Sequence, residues 1–234
     1  MDHRIYYPSE LTAGSEVSIA GDEYHHAARV ARVRAGEPVE LFDGRGAAAA
    51  GEVIEIQRDA LRVRITGPVP PRESPLNVTL AMAVIQLEKF ELVLQKATEL
   101  GVRSFIPLVT DRVEVRPERY RGKAKRWEKI VFEAVKQSGR AALPSIETPA
   151  PFAEVVGREG MRILFDAEGE EARTLSVATS VTILIGPEGG WSESEVGLAR
   201  ERQCRFLRLG PRRLRSETAA IAAAGILAAQ HGDI

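Results

Sequence analysis

The fold of this 234-residue chain is decided by the stretch Thr182-Ile183-Leu184-Ile185-Gly186-Pro187-Glu188-Gly189-Gly190-Trp191-Ser192-Glu193-Ser194-Glu195. Residues 181–185 are apolar without polar alternation, which is typical of a strand buried on both faces. Ser192 and Glu195 have the spacing of a capping box, so a helix should begin here. A strand, a glycine-rich turn and a capped helix form the place where open α/β sheets bind ligands. A single turn of this kind, however, is more often an ordinary tight connection.

A second stretch repeats the layout and makes a ligand site the better interpretation. It is Leu209-Gly210-Pro211-Arg212-Arg213-Leu214-Arg215-Ser216-Glu217-Thr218-Ala219, which follows a predicted strand at Phe206 to Leu209 and opens a predicted helix at Ser216. Neither turn has the Gly-Lys-Ser/Thr or Gly-x-Gly-x-x-Gly pattern of phosphate-binding loops. We therefore do not expect a nucleoside triphosphate or NAD held by its phosphates.

These two stretches, at 185–191 and 209–219, resemble the signatures of the bacterial ribosomal RNA small-subunit methyltransferase E family. Its members are SPOUT-class enzymes that methylate N3 of a uridine in 16S rRNA. The resemblance spans essentially the whole chain and implies a parallel α/β sheet with a C-terminal trefoil knot, preceded by a PUA-like β-barrel. Arg213 departs from the family pattern, where an aliphatic residue is more usual.

The resemblance implies S-adenosylmethionine as cofactor, bent within the knotted loops and held mainly by backbone groups. Glycine suits this role because no Cβ separates the backbone from a ligand. The predicted cofactor-binding residues are Ile185, Gly186, Pro187, Glu188, Gly189, Gly190, Leu209, Gly210 and Leu214.

The reaction implied by the resemblance suggests two catalytic candidates. Uracil N3 carries a proton, so the enzyme must help to remove it or stabilise the anion, whose charge spreads onto O2 and O4. A fixed guanidinium beside those oxygens does this by preorganised electrostatics. Arg215 is the first choice, with a salt bridge to Glu217 or Glu188 as the alternative. Glu217 is either a general base or a charge that favours the N-terminus of a helix.

Composition bounds the class of protein. Hydrophobic residues make up 44% and charged residues 28% of the chain, as in globular proteins. No apolar run approaches the ~20 residues that span a bilayer, and no signal peptide is recognisable. The single Cys204 excludes an internal disulfide and a Cys-based zinc site. The adjacent His25 and His26 would point about 100° apart on a helix, so they should not converge on one metal ion. We expect a cytoplasmic protein without a membrane or metal partner.

Charge is distributed unevenly in a chain whose net charge is −1. Residues 112–140 hold ten Lys or Arg against four Glu, and residues 205–215 hold five Arg and no acid. Such segments favour a patch for a polyanion, although solvated helix faces are an equal alternative. The predicted RNA-binding residues are Arg29, Arg32, Lys125, Arg126, Gln137, Ser138 and Arg140. For Gln137, Ser138 and Arg140 the assignment rests on a Gln-Ser-Gly-Arg segment of the family, with a helix C-cap at Gly139 as alternative.

Two domains are predicted, at 1–70 and 76–234, joined by a proline-rich linker at 67–75. In the first, Asp22 should cap a helix that closes near Gly36, and Val53 to Ile56 should pair with Leu61 to Ile65. In the second, strands alternate with helices, which indicates a parallel sheet covered on both faces. The predicted elements are strands at 78–85, 104–109, 162–166, 181–185 and 206–209, and helices at 89–100, 117–138 and 216–230.

The last helix, Ser216 to Gln230, is rich in Ala and apolar almost all round. One side should pack on the sheet and the other on a partner, for which a second copy is the commonest choice. We therefore expect a homodimer, unless the same chain covers this surface. The expected substrate is 16S rRNA, within the small ribosomal subunit. A non-catalytic RNA-binding or ribosome-assembly module, and a SPOUT methyltransferase acting on another RNA position, remain as alternatives.

Overall fold

The computed structural model describes residues 3–113, 115, 120, 122–172, 177, 179–231 and 233–234. The chain divides into two compact units. Unit 1 comprises Met1–Glu73 and Val135–Leu143, and unit 2 comprises Ser74–Ala134 and Pro144–Ile234. The sequence suggested one boundary between residues 70 and 76. It gave no sign that residues 135–143, the end of a helix and the loop after it, group with the first unit.

Unit 1 is built on a five-stranded sheet with the order β1-β3-β4-β5-β2, in which β1 and β3 are parallel and the other pairs antiparallel. The strands are β1 (Arg4–Tyr6), β2 (Glu16–Ala20), β3 (Pro38–Phe42), β4 (Ala48–Ile56) and β5 (Ala60–Val69). Leu61, Val63 and Ile65 are fully buried, whereas Arg62 and Arg64 reach solvent. The predicted pairing is present, with Val53 opposite Val63.

The predicted helix from Asp22 to Gly36 is wrong in its cap and its length. The α-helix α1 (Gly21–Tyr24) follows Ala20, which makes no side-chain cap, and Asp22 lies inside the first turn. The chain then widens into a π-helical turn, His25–Val30, where Ala31 N donates to His26 O. Arg32 has φ 55°, in the left-handed region, which ends the helix.

Unit 2 contains a parallel sheet of order β12-β10-β11-β6-β7-β8, with β9 also paired to β7. This confirms the predicted α/β fold class. Its strands are β6 (Asn77–Ala83), β7 (Ser104–Val109), β8 (Ser145–Ile146), β9 (Ala150–Pro151), β10 (Arg162–Glu171), β11 (Ser180–Ile185) and β12 (Arg205–Arg208). Its helices are α2 (Leu87–Glu99), α3 (Ala124–Ser138, whose last four residues group with unit 1), α4 (Phe152–Val156), α5 (Glu193–Glu201) and α6 (Ser216–Gln230).

Both faces of this sheet are buried, because successive side chains of a strand point to opposite faces. Leu80, Met82 and Ile183 belong to a core completed by α2, α3 and α6. Ala81 and Leu184 belong to a second core, completed by α4 and α5. This explains why the sequence of the central strands shows no polar alternation.

Several predicted boundaries shift. The linker begins later, because β5 continues to Val69 and pairs with Ala48. Helix α3 begins at Ala124, after Gly122 with φ 80°; residues 117–119 and 121 of the predicted helix lie outside the described residues. Strand β10 runs on to Glu171, beyond its predicted end at Asp166, and contacts β12 twice with a register shift. A Cβ at Gly169 would lie 2.5 Å from Leu207 C, so only glycine fits this crossing. The knot implied by the resemblance stays a prediction.

Candidate active site

A cleft of about 710 Å³ lies at the carboxyl ends of β11 and β12 and against the middle of β10, the strand between them. This volume is in the range of small-molecule sites. The cleft is lined by the first glycine-proline loop (residues 186–191), by residues 165–167 within β10, and by the second glycine-proline loop (residues 209–215) with the start of α6. The lining residues are Phe165–Ala167, Ile185–Glu188, Gly190, Trp191, Arg208–Ser216 and Ala219.

Hydrogen bonds hold the first loop internally and at its carboxyl-terminal end. Ser192 Oγ accepts from Glu195 N, and the Glu195 carboxylate accepts from Ser192 N at 2.8 Å, which confirms the predicted capping box. Gly190 N donates to Pro187 O at 2.9 Å. Buried Trp191 donates from Nε1 to Phe165 O at 3.0 Å, which ties the loop to the middle of the neighbouring strand β10.

The second loop leads directly into α6. Arg215 occupies the N-cap position with an extended backbone and makes no side-chain cap. Arg213, the departure from the family pattern, donates from Nη2 to Glu188 O at 3.1 Å. The two loops are therefore joined by a hydrogen bond that an aliphatic residue at this position could not make.

The lining of the cleft fits a ligand held by backbone groups. Gly190 (φ 70°) and Gly210 (φ 96°) both line it, and a Cβ added at either would meet nothing within 4 Å. That open space is what a side chain would fill and what a ligand can occupy instead. The residues present therefore fit a cofactor of the size of S-adenosylmethionine.

Eight of the nine predicted cofactor-binding residues line the cleft; Gly189 is the exception. A Cβ at Gly189 would lie 3.3 Å from the Cβ of Arg112, so this glycine faces the turn after β7. Sequence reasoning missed Phe165, Asp166 and Ala167 among the lining residues. Their signal was their position at the end of a predicted buried strand, but only the strand order brings that end to the two loops.

The two catalytic candidates differ in environment. Arg215 is exposed and lines the cleft. Within the described residues it forms no ion pair with Glu217 or Glu188, and Glu188 pairs with Lys89 at 3.4 Å. Glu217 is half-buried in the first turn of α6, and its Oε2 is buried without a hydrogen-bond partner. Leaving a buried carboxylate oxygen without a hydrogen-bond partner costs free energy. This favours a role for Glu217 in binding a ligand or a proton.

The predicted RNA-binding residues differ in their exposure to solvent. Arg29, Arg32, Lys125 and Gln137 are exposed; Arg126 is also exposed, and its guanidinium binds Glu91 through two hydrogen bonds of 2.6 and 2.7 Å. Ser138 is half-buried, with its hydroxyl 3.5 Å from Val135 O. Arg140 is only 2% exposed and pairs with Glu73. This burial favours a structural role, so Arg140 is not retained among the residues proposed to bind RNA.

Two further classes of site were searched over the described part of the chain. It contains no cluster of three or more His, Cys, Asp or Glu that could hold a metal ion. It also contains no helix with the length and apolar character needed to cross a membrane.

Comparison with known proteins identifies the class. Residues 72–228 match the family model of an RNA methyltransferase domain, and residues 19–66 match that of an RNA methyltransferase PUA domain. The chain is 31% identical to the ribosomal RNA small subunit methyltransferase E of Rickettsia conorii, over 94% of this chain and 93% of that protein. It is 32% identical to that of Mycobacterium bovis, over 94% and 89%. The chain thus belongs to the ribosomal RNA small subunit methyltransferase E family, as its two loops indicated.

Solved structures agree over nearly the whole length. The ribosomal RNA small subunit methyltransferase E of Neisseria gonorrhoeae, bound to S-adenosyl methionine, has a TM-score of 0.88 at 29% identity and covers 97% of each chain. A Legionella pneumophila protein solved with bound cofactor SAM has a TM-score of 0.85 at 33% identity and covers 97% of this chain and 96% of its own.

Proposed function

We propose that this chain transfers the methyl group of S-adenosylmethionine to N3 of a uridine in 16S rRNA. The observation that carries the proposal is the cleft at the ends of β11 and β12, beside β10, where both glycine-proline loops meet in a chain of this methyltransferase family. The choice of uridine N3 rests on the family resemblance.

The first loop and the second loop hold the cofactor in this proposal. The open space at Gly190 and Gly210 lets backbone groups approach it, and Ile185, Leu209 and Leu214 provide apolar contact. S-adenosylmethionine, when bound, supplies an electrophilic methyl group on a sulfonium. Enclosure by two short loops fixes the direction in which an acceptor must approach.

Arg215 stabilises the uracil anion. Its position at the N-cap of α6 places a permanent cation at the cleft, where it faces the charge that develops on O2 and O4. For Glu217 two roles remain: it accepts the N3 proton, or its charge favours the N-terminus of α6. The unpartnered Oε2 supports the first role, since a structural carboxylate usually has partners.

RNA is bound by exposed cations in this proposal. Lys125 and Arg126 lie on the first turn of α3, and Arg29 and Arg32 lie on or next to the π-helical turn of unit 1. Gln137, at the end of α3, adds a polar contact. Since Lys and Arg displace counterions from phosphates, binding should weaken with salt. A 16S rRNA substrate also supports the two remaining proposals: that the protein is cytoplasmic, and that it methylates the rRNA within the small ribosomal subunit.

A homodimer is proposed from the outer face of α6. Ala220, Ala223, Ala224, Leu227 and Ala228 are buried within the chain itself, so the predicted partner surface is narrower than the whole helix. Four other residues recur every three or four positions and are half-buried or exposed, which defines one face of the helix: Thr218, Ala222, Ile226 and Ala229. Small apolar residues allow a second copy of this face to approach closely.

The test is binding followed by methylation. Isothermal titration should show S-adenosylmethionine binding by the purified chain, and failure to bind at millimolar ligand would favour a non-catalytic RNA-binding or assembly module. Primer extension on 16S rRNA from a strain lacking the gene should show one uridine that becomes modified in vitro. Modification of a different base or position would favour the other SPOUT reaction. Arg215→Met should lower kcat without changing cofactor affinity.

A further inference from the structure

Two arginines from different parts of unit 2 donate to consecutive carbonyl groups of the first loop. Arg213, in the second loop, binds Glu188 O at 3.1 Å. Arg112, in the turn after β7, binds Gly189 O from Nη1 at 3.0 Å. Both residues are exposed, so neither guanidinium is a buried charge. The loop that the proposed function assigns to the cofactor is therefore held at two successive peptide groups from two directions.

The turn that presents Arg112 is itself anchored to the start of α5. Asp111 Oδ2 accepts hydrogen bonds from Ser192 Oγ and from Ser194 Oγ, the latter at 3.0 Å. Asp111 N donates to Glu195 Oε1 at 3.0 Å. The hydroxyl groups of Ser192 and Ser194 hold the pKa of the Asp111 carboxyl below its usual value, so it stays an acceptor at neutral pH. The capping-box residues Ser192 and Glu195 thus fix both the end of the first loop and the turn from which Arg112 binds Gly189 O.

The physical need for such contacts lies in the two adjacent glycines. Glycine has the largest backbone freedom of any residue type, so ordering Gly189 and Gly190 costs conformational entropy. A carbonyl group held by a guanidinium fixes the plane of its peptide, and with it the direction of the following N–H. We infer that Arg112 and Arg213 are positioning residues that order the first loop before the cofactor arrives. The inference rests on the proposed function, in which this loop binds S-adenosylmethionine.

Cofactor titrations without RNA test the inference. The variants are Arg112→Met and Arg213→Met, which keep the aliphatic stem and remove the donors, with the double variant. Arg158→Met is the matched control, since Arg158 makes two exposed ion pairs, with Glu147 and Glu154, and does not line the cleft. Each single variant should raise the Kd for S-adenosylmethionine about fivefold, as expected for one lost hydrogen bond. Lysine at either position should restore part of the affinity, because it also donates.

The double variant should lose less affinity than the product of the single losses, because both residues order the same loop. Hydrogen exchange of the peptide covering residues 186–191 in the cofactor-free protein gives an independent readout. Exchange should be faster in both variants and unchanged in Arg158→Met, with melting temperatures that agree within a few degrees.

Unchanged cofactor affinity and unchanged exchange in the two variants would overturn the inference. So would a loss confined to RNA affinity, which would make Arg112 and Arg213 phosphate contacts, or an equal loss in Arg158→Met, which would indicate a general effect on stability. Wild-type protein that fails to bind S-adenosylmethionine would contradict the proposed function instead. The exchange comparison still decides in that case whether the arginines order the loop.

Discussion

Glu73 and Arg140 form a buried ion pair, with Arg140 Nη2 2.9 Å from Glu73 Oε2. The other carboxylate oxygen accepts from the backbone N–H groups of Ala141 and Ala142, at 2.8 Å each. Both side chains are less than a tenth exposed. The residue that the sequence assigned to RNA therefore fastens the segment 135–143 within unit 1.

Glu73→Gln should lower the free energy of unfolding by about 3 kcal/mol, because it removes the charge of the buried carboxylate that pairs with Arg140. Chemical denaturation followed by circular dichroism measures the loss. Glu154→Gln is the control, since Glu154 forms an exposed ion pair with Arg158 and should cost less than about 1 kcal/mol. Equal costs in the two variants would contradict the structural role of the buried pair.

Stability should depend on pH in the acid range. Burial raises the pKa of the Glu73 carboxyl, but the hydrogen bonds from Arg140 and Ala142 outweigh it and hold the pKa below its usual value. The folded pKa is thus below the unfolded value of about 4.3, so the contribution is complete above that pH and is lost as pH falls through the folded pKa. Denaturation curves between pH 7 and pH 3 should show a steeper decline for wild type than for Glu73→Gln.

Gly190→Val should abolish most cofactor binding. The new side chain projects into the open space of the cleft and also strains a backbone at φ 70°. Gly160→Val carries the same kind of strain at φ 96°, also with open space around it, but away from the cleft. Isothermal titration should therefore separate the two: a Gly160→Val protein that loses cofactor affinity equally would show that strain, and not occupancy of the cleft, is responsible.

Lys125→Glu should weaken RNA binding several-fold and reduce its salt dependence, because one phosphate contact is lost. Arg202→Glu makes the same change in charge at the C-cap of α5, which packs on the other face of the sheet from α3. Filter binding at two or more salt concentrations compares them, while cofactor affinity stays constant in both. Equal effects would point to overall charge and exclude a footprint on α3.

Ala222→Glu should split the proposed dimer and leave the monomer folded, because Ala222 is only half-buried within the chain. Ala224→Glu should unfold the protein, since Ala224 is 2% exposed in a single chain. Light scattering at micromolar concentration, with circular dichroism for folding, distinguishes the outcomes. A wild-type protein that is monomeric and still methylates RNA would contradict the dimer proposal.

The structural features that could be predicted from the sequence are those with a local cause. The capping box of Ser192 and Glu195 and the alternation of Leu61 to Ile65 depend on residues a few positions apart, and both were read correctly. The helix after Asp22 shows the limit of such signals. A good capping residue was present, yet the chain began its helix earlier, at Gly21, and widened into a π-turn.

The sequence by itself determined the two glycine-proline loops, the buried strands before them and the helices after them, because hydrophobic periodicity and caps act over short distances. Only the tertiary structure decided which groups meet at those loops. The order of β12, β10 and β11 brings Phe165 to Trp191, and the turn after β7 brings Arg112 to Gly189. Arg140 became a buried structural cation because Glu73, 67 positions away, lies beside it. Such contacts depend on strand order and chain path, which no local pattern encodes.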